Sequence, residues 1–320
     1  MEISNCDISP RHALYNGDCV EVMSCMPDNY VDMAIFSPPF ANLYIYSDDL
    51  RDMGNNPDEA SFFEQMGFMT RELFRIMRPG RLVCVHCKQL ARYKGRDGAA
   101  GWYDFRGDII RHFESYGFQY HSEVVIWTDP VLEMQKTKTQ RLLYCNLRRD
   151  ASVTGIGMPE YLCIFRKTPQ EGDETISIRH YKPDEKRPDT AEAELQVMDL
   201  PTWQRYASPV WFDIKRTDVL NGRIAKDSQD EKHICPLQLE VIRRAVQLWS
   251  NPGEIVFSPF GGIGSEPYVA IEQGRKAVAI ELKPSYYAQM VKYVTEVEDN
   301  PQQMTFADMG VDLGGVLNEF

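Results

Sequence analysis

The segment EIVFSPFGGIGSEPYVAIEQGRKAVAIEL (254–282) constrains this chain more than any other. A short apolar, β-branched run enters Phe260-Gly261-Gly262-Ile263-Gly264. A helical pattern then opens at Ser265 and closes at Gly274, and a second apolar run ends in Glu281. Glycines at such a junction let the backbone turn tightly and let a ligand approach closely. A strand–turn–helix–strand unit of this kind packs with parallel strands and its helix across one sheet face. A carboxylate about twenty residues past the turn suits a ribose diol, which offers two hydroxyl donors. The dinucleotide pattern GxGxxG is not met, because Pro267 fills its third position. No Lys-Ser/Thr pair of a phosphate-binding loop follows either. A ligand without phosphates fits best, and a structural turn with no ligand is the alternative.

Two further runs read as buried parallel strands beside 254–258 and 276–282: VDMAIFS (31–37) and RLVCVHC (81–87). Residues 59–77 carry apolar groups at helical spacing and stop at Arg78-Pro79-Gly80, read as a turn. Residues 105–116, 236–249 and 265–274 also read as helices, and YHSEVVIW (120–127) and YLCIFRK (161–167) as strands. This alternation predicts an α/β fold with a doubly wound, mostly parallel sheet covered on both faces. The stretch 168–231 is polar and proline-bearing, with Trp203, Tyr206, Trp211 and Phe212 in no clear period. It reads as a loop-rich insert between residues 1–167 and 232–295 of one domain. Residues 296–320 carry only acids among their charges and read as a mobile acidic tail.

A net charge of -12 argues against nucleic acid as a first guess, since phosphate contacts need Lys and Arg. The charge is uneven, however. Lys136, Lys138, Arg141, Arg148 and Arg149 cluster in 136–149 with no acid among them. A basic groove on an acidic body and an ordinary solvated face fit that cluster equally. The eight cysteines are scattered; only Cys84 and Cys87 form a CxxC, inside an apolar run that reads as a strand. A thiol pair or zinc half-site there is the alternative to simple core packing. No apolar run is long enough to cross a membrane, and MEISNCDISPRH lacks the form of a secretory signal. A reduced cytoplasmic setting is the expectation.

Near the amino end stands Ile35-Phe36-Ser37-Pro38-Pro39-Phe40. A strand ends in a hydroxyl, two rigid prolines and an aromatic ring. Fixed carbonyls and the Ser37 hydroxyl can accept hydrogen bonds from an amino group, and Phe40 can stack on a base taken from its duplex. Alone, SPPF is a common loop sequence. Together with the glycine turn, it makes the chain resemble the DNA amino-methyltransferases of the β group, the N-4/N-6 methylases. In these a D/N/S-P-P-Y/F/W motif precedes the target-recognition region and an FxGxG loop comes last. Asn16-Gly17-Asp18-Cys19, Arg78-Pro79-Gly80-Arg81, Met158 to Lys167, Lys232 to Leu237 and Lys283-Pro284-Ser285-Tyr286-Tyr287 match further family segments in one order, covering roughly 13–167 and 231–294. Two positions depart: Ser258 stands where the family's loop begins with Asp, and Ile234 where Pro is usual.

The resemblance implies a class I methyltransferase fold in permuted order, with S-adenosylmethionine as cofactor. It implies Ser37, Pro38, Pro39 and Phe40 as catalytic residues. Asp18, Ser37, Ser258, Pro259, Phe260, Gly261, Gly262, Gly264, Ser265, Glu281 and Leu282 are the implied cofactor contacts. No metal is implied. No Pro-Cys dipeptide occurs, so the covalent route to cytosine C5 is not open. SPPF goes more often with cytosine N4, and adenine N6 is a close second. Double-stranded DNA is the implied partner, read by 168–231 with 130–156 and the five basic residues above. Trp203 and Trp211 could wedge between bases, although local core is the commoner role. A homodimer, and a cognate restriction endonuclease in a bacterial, phage or prophage setting, are compatible with the family. An RNA or protein-amide methyltransferase, or a silent binding module of the same fold, are the alternatives.

Overall fold

A computed structural model of the chain describes residues 4–39, 51–56, 58–137, 142–180, 197–222 and 236–299. In order these form β1 (Asn5–Ile8), β2 (His12–Asn16), α1 (Cys19–Ser24), β3 (Val31–Phe36), α2 (Glu59–Ile76), β4 (Met77–Lys88), β5 (Leu90–Arg92), α3 (Lys94–Asp97), β6 (Gly101–Tyr103), α4 (Phe105–Ser115), β7 (Phe118–Ile126), α5 (Pro130–Thr137), α6 (Tyr144–Arg149), β8 (Glu160–Lys167), α7 (Leu200–Tyr206), β9 (Val210–Trp211), α8 (Leu239–Trp249), β10 (Ile255–Ser258), α9 (Ser265–Glu272), β11 (Lys276–Glu281) and α10 (Pro284–Asp299).

The main sheet runs β1-β2-β11-β10-β3-β4-β8-β7-β9. Its centre, β2-β11-β10-β3-β4, is parallel throughout. Strand β8 runs against both β4 and β7, and β1 against β2. Each buried strand feeds both faces, as the unbroken burial of Val31–Phe36 requires. Met33 and Ile35 pack under α8, α9 and α10, with Ile242, Val246, Met290 and Val294. Ala34 and Phe36 pack under α1, α2 and α4, with Met23, Met66, Leu73 and Phe113. The sheet is the doubly wound, mostly parallel one that the alternation predicts.

Chain direction sets where a ligand can bind. From β10 the chain winds outward through α9 to β11, whereas β3 winds the other way through α2 to β4. The crevice between β10 and β3 is therefore a switch point, where parallel α/β sheets hold ligands at their carboxyl ends. Antiparallel β8 begins at that same edge, since Glu160 pairs with Lys88 and with Ile126.

Three expectations change, and one alternative, the Cys84–Cys87 pair, is excluded. Arg78-Pro79-Gly80 is not a turn but the first part of β4, where Gly80 (φ 81°) accompanies a register shift against β3. The acidic tail does not start at 296, because α10 continues to Asp299. The insert has order of its own: β9 pairs parallel with β7, and Trp211, 1% exposed, is core. Its indole N–H donates to the Tyr206 carbonyl at 3.0 Å, and the Arg244 guanidinium lies 5.2 Å from its ring centroid. Trp203, by contrast, is exposed. Finally, Cys84 and Cys87 belong to opposite faces of β4, so they cannot form a pair; Cys87 instead approaches Cys163, Sγ to Sγ 3.9 Å.

Candidate active site

A single cavity of about 690 Å³ opens over the switch point, within the range of small-molecule sites. One wall comes from the glycine-rich segment 254–282. Leaving β10 at Ser258, the chain turns through Pro259–Gly264, and the Gly261 N–H donates to the Ile280 carbonyl at 2.7 Å. That closeness explains two glycines. A Cβ on Gly261 would meet Met290 Sδ at 2.8 Å and the Ile280 oxygen at 3.2 Å; one on Gly264 (φ 98°) would meet Met290 Cα at 3.1 Å. Gly262 (φ 54°) turns its N–H onto Glu281 Oε2 at 2.8 Å, and the Lys283 N–H donates to Oε1 at 2.8 Å. Burial nevertheless pushes the Glu281 carboxyl up to about 7. Asn16 Nδ2 donates to the carbonyls of Glu281 and Leu282 at 2.8 and 3.0 Å, bringing β2 and Gly17-Asp18 onto the wall. Asp18 itself caps α1, its Oδ1 accepting from the N–H groups of Val20 and Glu21 at 2.9 and 3.0 Å.

The opposite wall is assembled from distant segments. Ser37, Pro38 and Pro39 line it where β3 ends. Ser37 Oγ lies 3.3 Å from His86 Nδ1, and His86 Nε2 lies 3.2 Å from Glu160 Oε2. Burial alone would raise the Glu160 carboxyl. The hydrogen bond from His86, its positive charge when protonated, and the charges of Lys88 and Arg216 instead hold it down to about 2. An ionised carboxylate cannot donate, so His86 must present Nε2–H to it. In the neutral imidazole Nδ1 is then bare, and the Ser37 O–H can donate either to it or to the His86 carbonyl, also at 3.3 Å; both arrangements leave Ser37 oxygen lone pairs free to accept. Gln238 Nε2 donates to Glu160 Oε2 at 3.3 Å, and Arg216 stands 3.8 Å from both Glu160 and Glu133. Lys88 pairs with the fully buried Glu133 at 3.0 Å.

The cavity thus brings Asp18, Ser37, Pro38, Pro39, Pro259, Phe260, Gly261, Gly262, Ser265, Glu281 and Leu282 together. Ser258 and Gly264 lie behind it and shape the loop. Phe40, Lys138 and Arg141 lie outside the described residues, as does the side chain of Lys136 in α5. Arg148 and Arg149 are exposed at the end of α6, away from the cavity lining. Sequence reasoning missed His86, Glu160, Arg216, Gln238 and Glu266 as site residues. A signal existed for two: His86 is a polar residue inside an apolar strand, and Glu160 opens another.

A doubly wound sheet with a glycine-rich strand-to-helix turn on one wall of its switch-point cavity and a Ser-Pro-Pro corner on the other has a class I methyltransferase architecture. A family model for N6 and N4 DNA methylases matches residues 31–292, and the chain belongs to that DNA methylase family. Among curated proteins it is 25% identical over 284 residues to the type II methyltransferase M.BglII of Bacillus subtilis, covering 85% of this chain and 66% of that one. It is 21% identical over 301 residues to the type II methyltransferase M.MjaI of Methanocaldococcus jannaschii, covering 87% and 89%. Among solved structures it resembles TTHA0409 of Thermus thermophilus, named as a DNA modification methylase and complexed with S-adenosyl-L-methionine (22% identity, 90% and 96% coverage, TM-score 0.62). The cytosine-N4-specific PvuII DNA methyltransferase has the same fold (14% identity, 94% and 96% coverage, TM-score 0.60). The methyl donor of the family is S-adenosylmethionine. The cavity fits it: Glu281 keeps lone pairs for a diol, and no basic side chain lies within 258–265 to call for a phosphate. No helix among the described residues is long and apolar enough to cross a membrane.

Proposed function

We propose that this chain methylates the exocyclic amino group of a base flipped out of double-stranded DNA, with cytosine N4 favoured and adenine N6 the close second. The observation that carries the reading is the continuity of one cavity from Glu281 and the glycine loop to Ser37-Pro38-Pro39, backed by His86 and Glu160. Bound there, S-adenosylmethionine supplies an electrophilic sulfonium methyl. The 258–264 loop, Glu281 and Leu282 hold it, with Asp18 and Ser265 beside them. Ser37 Oγ and the Pro38 carbonyl accept the two amino hydrogens, which orients the nitrogen lone pair and adds electron density to it. As the nitrogen loses a proton to Ser37 Oγ, the Ser37 proton moves to His86 Nδ1, and the Glu160 carboxylate stabilises the imidazolium. Phe40 stacks on the base.

In this reading 168–231 with 130–156 faces the duplex, and Lys136, Lys138, Arg141, Arg148 and Arg149 supply phosphate or base-edge contacts. A homodimer and a cognate restriction endonuclease belong to the same reading. The test is single-molecule sequencing of DNA from a host expressing the chain. Modified N4-cytosine at one sequence supports it, and N6-adenine moves the preference to the second base. Unmodified DNA alongside methylated RNA or protein amide overturns it.

A further inference from the structure

Glu266 opens the first turn of α9 directly after the glycine loop, and the methyl transfer has no use for it. It is 5% exposed, yet it lines the cavity. Among the described residues only its own backbone N–H donates to its carboxyl. Four cations line the cavity and none of them is among the charges acting on Glu266: Lys88 pairs with Glu133, Arg216 stands by Glu133 and Glu160, Lys283 lies over the Tyr286 ring at 4.5 Å, and Arg51 has interactions of its own. The charged neighbour of Glu266 is another carboxyl, Glu281. Burial first, and then that like charge, hold the Glu266 carboxyl up to about 8. A buried acid beside a second acid, without a counter-charge, costs folding free energy. Such an arrangement is relieved by a cation that also brings hydrogen-bond donors.

A second feature points the same way. The family's loop begins with an acid where this chain has Ser258, and the Ser258 hydroxyl is buried with no hydrogen-bond partner among the described residues. The acid absent at the start of the loop reappears at its end. We propose that Glu266 receives the α-ammonium group on the amino-acid end of S-adenosylmethionine. This rests on the cofactor reading above. The sulfonium is the weaker candidate, because it has no N–H to donate, whereas an ammonium offers three to a carboxylate that accepts from nothing but its own backbone. The ligand's carboxylate is excluded by two like charges at close range.

Three nucleosides separate these possibilities in binding measurements on the whole chain. S-adenosylmethionine carries ammonium and sulfonium, S-adenosylhomocysteine carries ammonium alone, and 5′-methylthioadenosine carries neither. Glu266→Gln should weaken the first two by the same factor, about tenfold or more, and leave 5′-methylthioadenosine unchanged. Glu266→Asp should recover part of the loss. Unchanged binding of all three overturns the proposal. Equal weakening of all three does so too, because the residue would then only be holding the loop. Weakening of S-adenosylmethionine alone would move the contact to the sulfonium and overturn the ammonium assignment. If the unmutated chain binds 5′-methylthioadenosine but neither amino-acid nucleoside, the cofactor reading itself falls and takes the proposal with it.

Discussion

The two walls of the cavity hold carboxyl groups in opposite conditions. At the base end, Glu160 is surrounded by His86, Lys88, Arg216 and Gln238 and is held down to about 2. At the cofactor end, Glu266 is buried with Glu281 half-buried near it, and their carboxyls are pushed up to about 8 and about 7. One wall carries its counter-charges in its own side chains; the other gives Glu281 only Lys283 and two backbone N–H groups, and gives Glu266 no cation among the described residues. The difference teaches where preorganisation was placed. A proton-accepting corner must be set before the base arrives, since reorganising dipoles during reaction costs rate. A cofactor pocket can use the ligand's own hydroxyls and cation to complete its hydrogen bonds.

The largest effect that would break this comparison lies at the base end. Ser37→Ala removes the acceptor and should lower turnover by about a hundredfold or more, with His86→Ala costing about tenfold to a hundredfold. Both variants should bind S-adenosylmethionine nearly normally, because neither residue shapes the glycine loop and Ser37 is one among many implied cofactor contacts. Turnover and cofactor affinity measured on one preparation check this. A His86→Ala enzyme with full turnover would reduce the Ser37–His86–Glu160 chain to packing.

Next comes the cofactor end. Glu281→Ala removes the acceptor for the Gly262 and Lys283 N–H groups as well as the diol contact, so the loop and the ligand both lose a partner. Affinity for S-adenosylmethionine should fall by about 1–3 kcal/mol, roughly fivefold to 150-fold. Calorimetric titration reads this directly, and an unchanged constant would remove Glu281 from the site.

How each wall is built explains how far it was legible. The cofactor wall is local: 258–283 is one strand–turn–helix–strand unit, and glycines with a terminal acid mark it without any tertiary knowledge. Ser37-Pro38-Pro39 was readable for the same reason, as a strand-end motif. His86, Glu160, Arg216 and Gln238 meet only because β8 runs antiparallel to β4 and the insert folds back along β7, and nothing in their spacing announces that pairing. The fold was legible in its central strands, whose apolar runs are unbroken. It was illegible at the rim, where β1 (NCDI) is mostly exposed and β4 begins inside what looks like a helix stop.

A smaller effect concerns the approach of DNA to the base end. If Arg148 and Arg149 meet phosphates, replacing each with Ala should reduce the slope of log affinity against log salt by about 1. A slope indifferent to both changes makes α6 a bystander and moves recognition toward other parts of 130–156 and 168–231.

The smallest effect, and the most direct on the contrast between walls, is in the pH dependence of stability without ligand. A carboxyl raised in the folded state binds its proton more tightly there than in the unfolded chain, where its midpoint is near 4.3. From that pH up through about 7 for Glu281 and about 8 for Glu266, the folded state holds more protons than the unfolded one. Stability from these two groups is therefore fully present below the unfolded value and is lost as pH rises through the folded values. Glu160, lowered to about 2, acts in the other direction but finishes doing so below about pH 5. His112, lowered by burial to about 4, and His180, also lowered by burial, add stability as pH rises through the ordinary histidine value near 6.5 and little above about pH 7. The buried thiols Cys19 and Cys84, raised by burial, begin to matter only near the unfolded thiol value of about 8.5. Above the histidines and short of the thiols, Cys87 with its Cys163 hydrogen bond included, the two cofactor-wall acids dominate between about pH 7 and 8, and the melting temperature of the unliganded protein should fall across that window. Glu266→Gln and Glu281→Gln should each flatten the fall, and the double variant should nearly abolish it. A base-wall variant such as Glu160→Gln should lower the whole curve without changing its slope there. If Glu160→Gln flattens the slope, or the two cofactor-wall variants do not, the uncompensated charge does not sit where the nucleoside binds.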